Sequence, residues 1–477
     1  MTKWLSVFLT VLIIAALPAV AQESPRVPIK GVFPDMTTMG GMDDPSEAAF
    51  GALIPWAGDL WAISYVSHIA GGGTGLYVIS EEDGTLTYQK HPESVVGTFA
   101  NRMLHLPSSQ AIIGPHIIDQ EGHVRTFDDL TGHRLTATCA HLEDPDNKVY
   151  FITMEGLLFE ADVKTLEAKR LFNLNDELDI PPGATPHFKG AFSANGRLVV
   201  ANNTYHEPEH LGERQGGCLA EWDGEQWTVL DRNPYVEVYG KGPRGGAYGN
   251  PIFAIGWDRA SVILKLFTED HWKTYRLPKG SHSFDHAWNT EWFRIREAQT
   301  ERFLMDAHGI FYEMPAQIYE NSIWGIKPIA YHLRIVPDFC FYKGLFVMAG
   351  NQTDLAVGQP QSGLWFGNID DLWQFGKPQG WGGPWWETQV EAGQASDPFL
   401  MTGFDEKTLH LSHDADEAVN FTVEIDHLGN GTWHTYKKIL VPANGYEYHV
   451  FPDGYSAHWV RIKVNKDCTA TAHFAYH

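Results

Sequence analysis

Cysteine is scarce in this chain: four in 477 residues, at Cys139, Cys218, Cys340 and Cys468. Four are too few for a disulfide-stapled scaffold of this length, and three pairings stay open if two bridges form. Buried free thiols or metal ligands are the other uses left to them. Basic residues are short as well, with 35 Lys+Arg against 59 Asp+Glu and a formal net charge of -24. Phosphate binding needs concentrated Lys and Arg, so a nucleic-acid partner is excluded. The same balance gives an anionic ligand no long-range attraction; it has to be met by a locally basic pocket. Past the first twenty or so residues, no apolar run approaches the roughly 18 residues of a membrane-spanning helix. No Gly-x-Ser-x-Gly elbow, phosphate-cradling glycine loop or paired Cys-x-x-Cys motif is present.

What is there begins with an export signal. In "MTKWLSVFLTVLIIAALPAVAQESP", Lys3 supplies the positive start, Trp4 to Leu17 the apolar run, and Ala19-Val20-Ala21 the small-residue cleavage site. Residues 1–21 are therefore expected to be removed, leaving a secreted or periplasmic protein that starts at Gln22.

A strand phrase then recurs: Gly, three or four apolar or aromatic residues, and an acidic or polar turn. It reads "GLYVISEEDG" from Gly75, "GPHIIDQEG" from Gly114, "GLLFEADVKT" from Gly156 and "GCLAEWDGEQW" from Gly217. "GIFYEMP" from Gly309, "GLWFGNIDD" from Gly363 and a weaker "RASVILKLFTEDHW" from Arg259 complete seven copies. Most follow another short strand, such as "LWAISYVS" or "RLVVANN", so each pair reads as a hairpin with Gly, Asp or Asn in the turn. A period of about 40 to 60 residues fits four-stranded propeller blades. The expected fold is all-β, a seven-bladed β-propeller over 22–395 with its edges short and protected. From about residue 396 to 477 the strands become closely spaced and alternating, as expected of a small β-sandwich-like extension. "NTEWFRIREAQTERF" has helical propensity, but its place in the repeat assigns it to strands and a loop.

Histidine, of which there are 23, is the chemical feature that stands out. His116 sits in the centre of "AIIGPHIID", among four isoleucines. His141 precedes a strand in "TATCAHLEDPDNKVYF". "HFKGAFSANGRLVVANNTY" carries His187, Lys189 and Tyr205, with Arg214 shortly after, and "VVGTFANRMLH" places Asn101 and Arg102 ahead of the second blade. Each alone reads more simply as a satisfied core or turn residue. Their recurrence at blade ends points instead to one pocket on the axis, where inner strands converge.

Several stretches resemble the seven-bladed propeller polysaccharide lyases, the superfamily of the ulvan lyases of polysaccharide lyase families twenty-four and twenty-five. These are "TATCAHLEDPDNKVYFITMEGLLFEADVKTL", "GRLVVANNTY", "CLAEWDGEQW", "IFAIGWDRASVILKL" and "HAWNTEWFRIREAQTERFLMDAHGIFYEMP". The likeness covers most of residues 30 to 477. It implies an enzyme that cleaves rhamnose-uronate bonds by β-elimination and leaves a 4,5-unsaturated uronate. A cation neutralises the uronate carboxylate, a base removes the C5 hydrogen, and an acid protonates the departing O4. By resemblance His116 and Tyr205 form the acid/base pair, Arg214 neutralises the carboxylate, and His141 binds substrate or serves as a second histidine. Asn101, Arg102 and His187 complete the substrate-binding set. Relatives that act on rhamnosyl-glucuronate linkages use the other propeller face, for which His187 and His68 are the reserve residues. An exo-acting lyase or rhamnosidase on gum-type glycans is the enzyme alternative, and a propeller that binds glycans without turnover the alternative of another class.

The chemistry itself requires no cofactor. A structural zinc site is suggested by Cys218 together with His271, His282 and His286 in "EDHWKTYRLPKGSHSFDH", and members of the superfamily carry such a site away from the chemistry. The "DLTG" and "EDPDN" loops offer oxygen ligands to calcium. The expected partner is an acidic rhamnose- and uronate-containing polysaccharide.

Overall fold

The structure is a computed structural model that describes residues 48–66, 75–204, 216–241, 251–280, 292–297, 302–315, 318, 323–332, 336–349, 352–353, 360–361 and 364–477. The expected signal segment lies outside these residues. The chain is all-β, with many small antiparallel sheets and, among the described residues, a single short α-helical turn at Leu174–Glu177. No helix of the described residues is long and apolar enough to cross a membrane.

Up to Gly367 the strands fall into seven consecutive sheets, with one two-stranded ribbon, Gln352–Thr353 and Pro360–Gln361, inserted within the last. Six have four strands each, paired antiparallel in chain order; the seventh has three, Phe339–Tyr342, Leu345–Ala349 and Leu364–Gly367. Local chemistry explains the hairpins. Asp83-Gly84, Asn195-Gly196, His308-Gly309 and Lys343-Gly344 hold both turn residues at positive φ. That is the turn whose twist matches the strands it joins. The recurring sequence phrase is the third strand of each sheet, for example Leu76–Glu82, Leu157–Asp162 and Ile310–Met314.

The leading strands are Ala48–Trp56, Arg102–His105, Leu135–Ala140, Phe188–Ala194, Tyr235–Gly240, Arg294–Glu297 and Phe339–Tyr342. Each lies against the leading strand of the next sheet, and the seventh lies against the first. The cores sit between neighbouring sheets in the same order. Phe151, Ile117 and Ile63 join the first three, and Phe188 and Val200 pack on Tyr150 and Ile152 of the third. The last of these cores sets Leu53, Leu60 and Ile79 of the first sheet against Cys340, Val347 and Ala349 of the seventh. Residues far apart in the chain thus bury each other's apolar faces, the main source of stability here.

The C-terminal region has two sheets around its own core. Gly380–Val390, Cys468–Tyr476, Lys407–His413 and Tyr446–Val450 form one. Phe399–Leu400, Trp459–Val464, Val419–Asp426 and His434–Val441 form the other, which continues the fifth sheet through a parallel pairing of Arg276 with Phe399. Arg276 secures the seam, donating to Asp258 at 2.7 Å and to Asp397 at 2.9 Å. Phe421, Val423, Leu409, Leu411 and Phe474 fill the space between the sheets, as strict inward alternation along these strands requires.

Candidate functional site

Every leading strand contributes to the wall of one cavity of about 560 Å³, a size that suits an organic ligand. Its wall runs against the charge of the whole chain. Five basic side chains line it (Arg102, Lys189, Lys241, Arg294 and Arg296) and two acidic ones (Glu237 and Glu297). The strands themselves are apolar runs, "YVEVYG" and "FRIRE" for instance. Their charges are buried because alternate residues of a leading strand must point inward while their neighbours pack between sheets.

The guanidiniums are held in a continuous network. Asp338, fully buried, accepts from Arg296 Nε at 2.7 Å, from Arg102 Nε at 3.1 Å and from the Leu53 amide at 2.8 Å. Glu237 accepts from Arg296 Nη1 at 2.5 Å and Arg294 Nη1 at 3.4 Å. Arg294 Nε donates to the Pro337 carbonyl at 2.7 Å, and Arg102 donates to the carbonyls of Leu53 and Phe339. Three guanidiniums therefore share two carboxylates. Burial pulls the pKa of Arg294 below its ordinary value; Glu237 opposes the shift and Arg296 adds to it. Arg296 meets the same burial, but Asp338 and Glu237 outweigh it and its pKa rises.

Two ionisable groups face this cationic wall. Tyr239 lies with its ring 5.6 Å from the Arg296 guanidinium carbon. Burial raises its pKa, against the pull of Arg296 and Arg102, so it keeps its proton at neutral pH. Lys189 donates to the Tyr65 hydroxyl at 3.0 Å, with its ammonium 5.5 Å from the Tyr65 ring and 5.9 Å from that of Trp292. Beside them Asn101 donates to the Gly114 carbonyl at 2.8 Å and to Thr138 Oγ1 at 2.7 Å. Its Oδ1 is buried and finds no partner among the described residues.

Of the residues singled out in the sequence, the structure brings Asn101, Arg102 and Lys189 into the cavity. His116 and His141 are not on its wall, and they do not meet. His116 faces Ile113 across the turn at the starting end of the leading strands, whereas His141 follows Ala140, the last residue of one of them. Neighbouring leading strands run parallel, as the Phe99–Leu135 bridge shows; Arg102 and with it His116 are then level with Thr138, three residues of strand, roughly 10 Å, short of His141. Neither histidine lines the cavity in which a shared pocket was expected for them. His141 is also fully engaged: Nδ1 accepts from the Glu143 and Asp144 amides at 3.1 and 3.0 Å, and Nε2 donates to Glu160 at 2.8 Å. His187 is buried at the starting end of its strand, where its carbonyl accepts from the Asn203 amide. Tyr205, Arg214 and His282, with the reserve positions His68 and His286, lie outside the described residues.

All four cysteines are free and buried. Burial pushes the Cys218 thiol up to about 11, leaving it protonated at neutral pH. His271 is exposed, its Nδ1 bonded to the Glu269 carbonyl at 2.9 Å. Among the described residues, the one group of three ligand-type side chains is Asp119, Glu121 and His123, on an exposed hairpin. There the Asp119 carboxylate already accepts from the Glu121 and His123 amides and contacts the His123 ring. "HEPEH" at His206–His210 has the spacing of a zinc-binding helix, but Pro208 inside it removes a helical N–H, and the stretch lies outside the described residues.

Arg294, Arg296, Glu237, Asp338 and Tyr239 were not singled out in the sequence. The signal was present: charges at alternate positions of an apolar strand, as in Arg294-x-Arg296, point to the same side and need a shared polar interior.

No family model matches the chain, and no curated protein does. Solved structures similar to it include a nidogen/laminin complex (9% identity, 52% of this chain and 87% of that one, TM-score 0.31). U3-55K is similar at 10% identity over 67% and 97% of the two chains, with a TM-score of 0.39. The extracellular domain of a protein described as a hybrid two-component system from B. thetaiotaomicron is similar at 10% identity, with a TM-score of 0.42. That match covers 89% of this chain and 55% of the other.

Proposed function

We propose that the seven sheets are the blades of a seven-bladed β-propeller and that the axial cavity works on an acidic, uronate-containing polysaccharide. The reaction is β-elimination by an exported lyase. One observation carries the reading: a chain of net charge -24 lines this cavity with five basic side chains and two acidic ones. Counting Asp338 behind the wall, five cations stand against three anions, a local excess of positive charge that suits an anionic ligand. The cyclic contact of the leading strands supports the propeller.

In this mechanism the uronate carboxylate lies against Lys189 and Arg296. Their charge stabilises the enolate-like transition state after the C5 hydrogen leaves. Tyr239, protonated and facing the cavity, gives its proton to the departing O4. Tyr205, which the resemblance places in the acid/base pair, is then left to act as the base that takes the C5 proton. A glycan-binding role without turnover is the second reading, and one observation favours it: among the described residues no histidine lines the cavity.

The test is ultraviolet absorbance of the product on ulvan. Elimination creates a conjugated alkene, hydrolysis does not, and a binder releases nothing. Tyr239→Phe is expected to lower the elimination rate by about 100-fold or more while leaving the fold intact, the usual range for a lost general acid. A full-rate Tyr239→Phe variant removes that residue from the mechanism. Absence of any unsaturated product from uronate glycans removes the lyase.

A further inference from the structure

We propose that the outer face of the C-terminal sheet is a second, separate glycan-binding surface, an aromatic platform for an acidic polysaccharide chain. The sheet is formed by Gly380–Val390, Cys468–Tyr476, Lys407–His413 and Tyr446–Val450. The inward residues of these strands fill the sandwich core, and the alternate ones face out. Those outward positions carry a run of rings in contact across all four strands. Trp386 is 6.2 Å from Trp381, Trp381 lies 5.8 Å from His473, and His473 lies 6.3 Å from His410. His410 is 6.1 Å from Tyr446, and Tyr446 is 6.5 Å from Tyr448. Three of these steps are nearly parallel, at 20°, 20° and 23° between ring planes. Tyr446 and Tyr448 are 55% and 59% exposed, and His410 Nδ1 fixes the Tyr446 hydroxyl at 2.8 Å. Rings already oriented by neighbours lose little entropy when something stacks on them.

Composition identifies the occupant. Between the rings stand hydroxyls, Thr408, Ser412, Thr469 and Thr471, with only Ala475 and Val450 as aliphatics. A subunit interface would have an aliphatic or aromatic core closed to water. Flat rings interleaved with hydroxyl and imidazole donors match instead a sugar ring, apolar on its C–H face and polar at its rim. Charge chooses the class of sugar. On this acidic chain the outward positions hold one carboxylate, Glu387, and Arg259 neutralises it at 2.9 Å while lying 4.9 Å from the Trp386 ring. A polyanion repelled by the rest of the surface is tolerated here. The choice of an acidic glycan rests on the function proposed above; the platform geometry does not.

The experiment is affinity electrophoresis of the full chain in gels containing ulvan, polygalacturonate or neutral hydroxyethylcellulose. It uses a Tyr446→Ala/Tyr448→Ala double variant, a Trp386→Ala variant and a Lys189→Met cavity variant, with melting temperatures as a control of folding. Retardation by the acidic glycans is expected to fall at least tenfold in both platform variants. It should persist in the cavity variant, and elimination of short uronate oligosaccharides should stay unchanged in the platform variants. Unchanged retardation in both platform variants overturns the proposal, as does loss confined to Lys189→Met. So does a shift from dimer to monomer in sedimentation of the platform variants, which would make the face a contact between copies. Platform-dependent retardation without elimination of any glycan upholds this site and sinks the lyase reading alone.

Discussion

His116 is fully buried, and both ring nitrogens have partners: Nε2 accepts from the Val95 amide at 3.4 Å and Nδ1 faces Thr126 Oγ1 at 2.9 Å. Burial, aided by the nearby His91, lowers its pKa to about 4 from an ordinary 6.5. The sign of the linkage follows. Above pH 6.5 both folded and unfolded chains hold it neutral. As pH falls from 6.5 towards 4 the unfolded chain takes up the proton first, so stability declines with acidification. A shift of that size corresponds to on the order of 3 kcal/mol, and His458, lowered to about 4 by burial, adds a similar decline. Chemical denaturation at pH 7.5 and pH 4.5 should show a loss visibly smaller in His116→Gln than in the wild type; an identical loss would refute the assignment. Asp338 is a buried carboxylate that holds two guanidiniums and an amide. Asp338→Ala strands all three and should cost about 3–5 kcal/mol of unfolding free energy. A cost under about 1 kcal/mol would show that water replaces the carboxylate.

Among elements, the leading strands of the fourth and fifth sheets approach so closely that one residue has no room for a side chain. A Cβ on Gly190 would stand 2.6 Å from the Val236 carbonyl oxygen and 3.0 Å from the Val238 amide nitrogen. Backbone cannot swing aside as a side chain can, so Gly190→Ala forces the two strands apart where they line the cavity. Expected are a loss of about 1–3 kcal/mol in urea unfolding and weaker uronate binding. Unchanged stability would mean that this pair of strands yields freely. The hairpins behave differently. Asn195-Gly196 and Asp83-Gly84 are local, and their conformation is set by residues next to each other.

For the whole molecule, the contact between the first and seventh sheets closes the series. Leu60 is fully buried there with Val347 and Ala349 opposite. Leu60→Ala should cost about 2–5 kcal/mol. Because the sheets lean on one another cyclically, the loss should appear as a lower midpoint of one transition, coincident by circular dichroism and tryptophan fluorescence. A separate early transition confined to one probe would show that the first sheet opens alone. The same closure makes the cavity, since its wall draws on all seven leading strands and none encloses it alone.

Much of the all-β architecture was legible in the residues. The phrases beginning at Gly75, Gly114, Gly156, Gly217, Gly309 and Gly363 fall on third strands, and "RLVVANN" and "KVYFITMEG" on second strands. Alternation and turn residues act within a hairpin, so a short window carries the information. The site was legible only at Asn101, Arg102 and Lys189. His116 and His141 look equivalent in sequence, each beside a strand, yet they sit at opposite ends of the sheets. That depends on which way a strand runs, which a residue does not encode. Glu237, Arg294, Arg296 and Asp338 are neighbours only because distant strands come together, at separations of 42 to 59 positions between partners. The chain by itself determined strands, turns and an acidic surface, because these are local or additive. Only the tertiary structure decided which buried charges share one cavity and which rings share one face, because both follow from the packing of strands far apart in sequence.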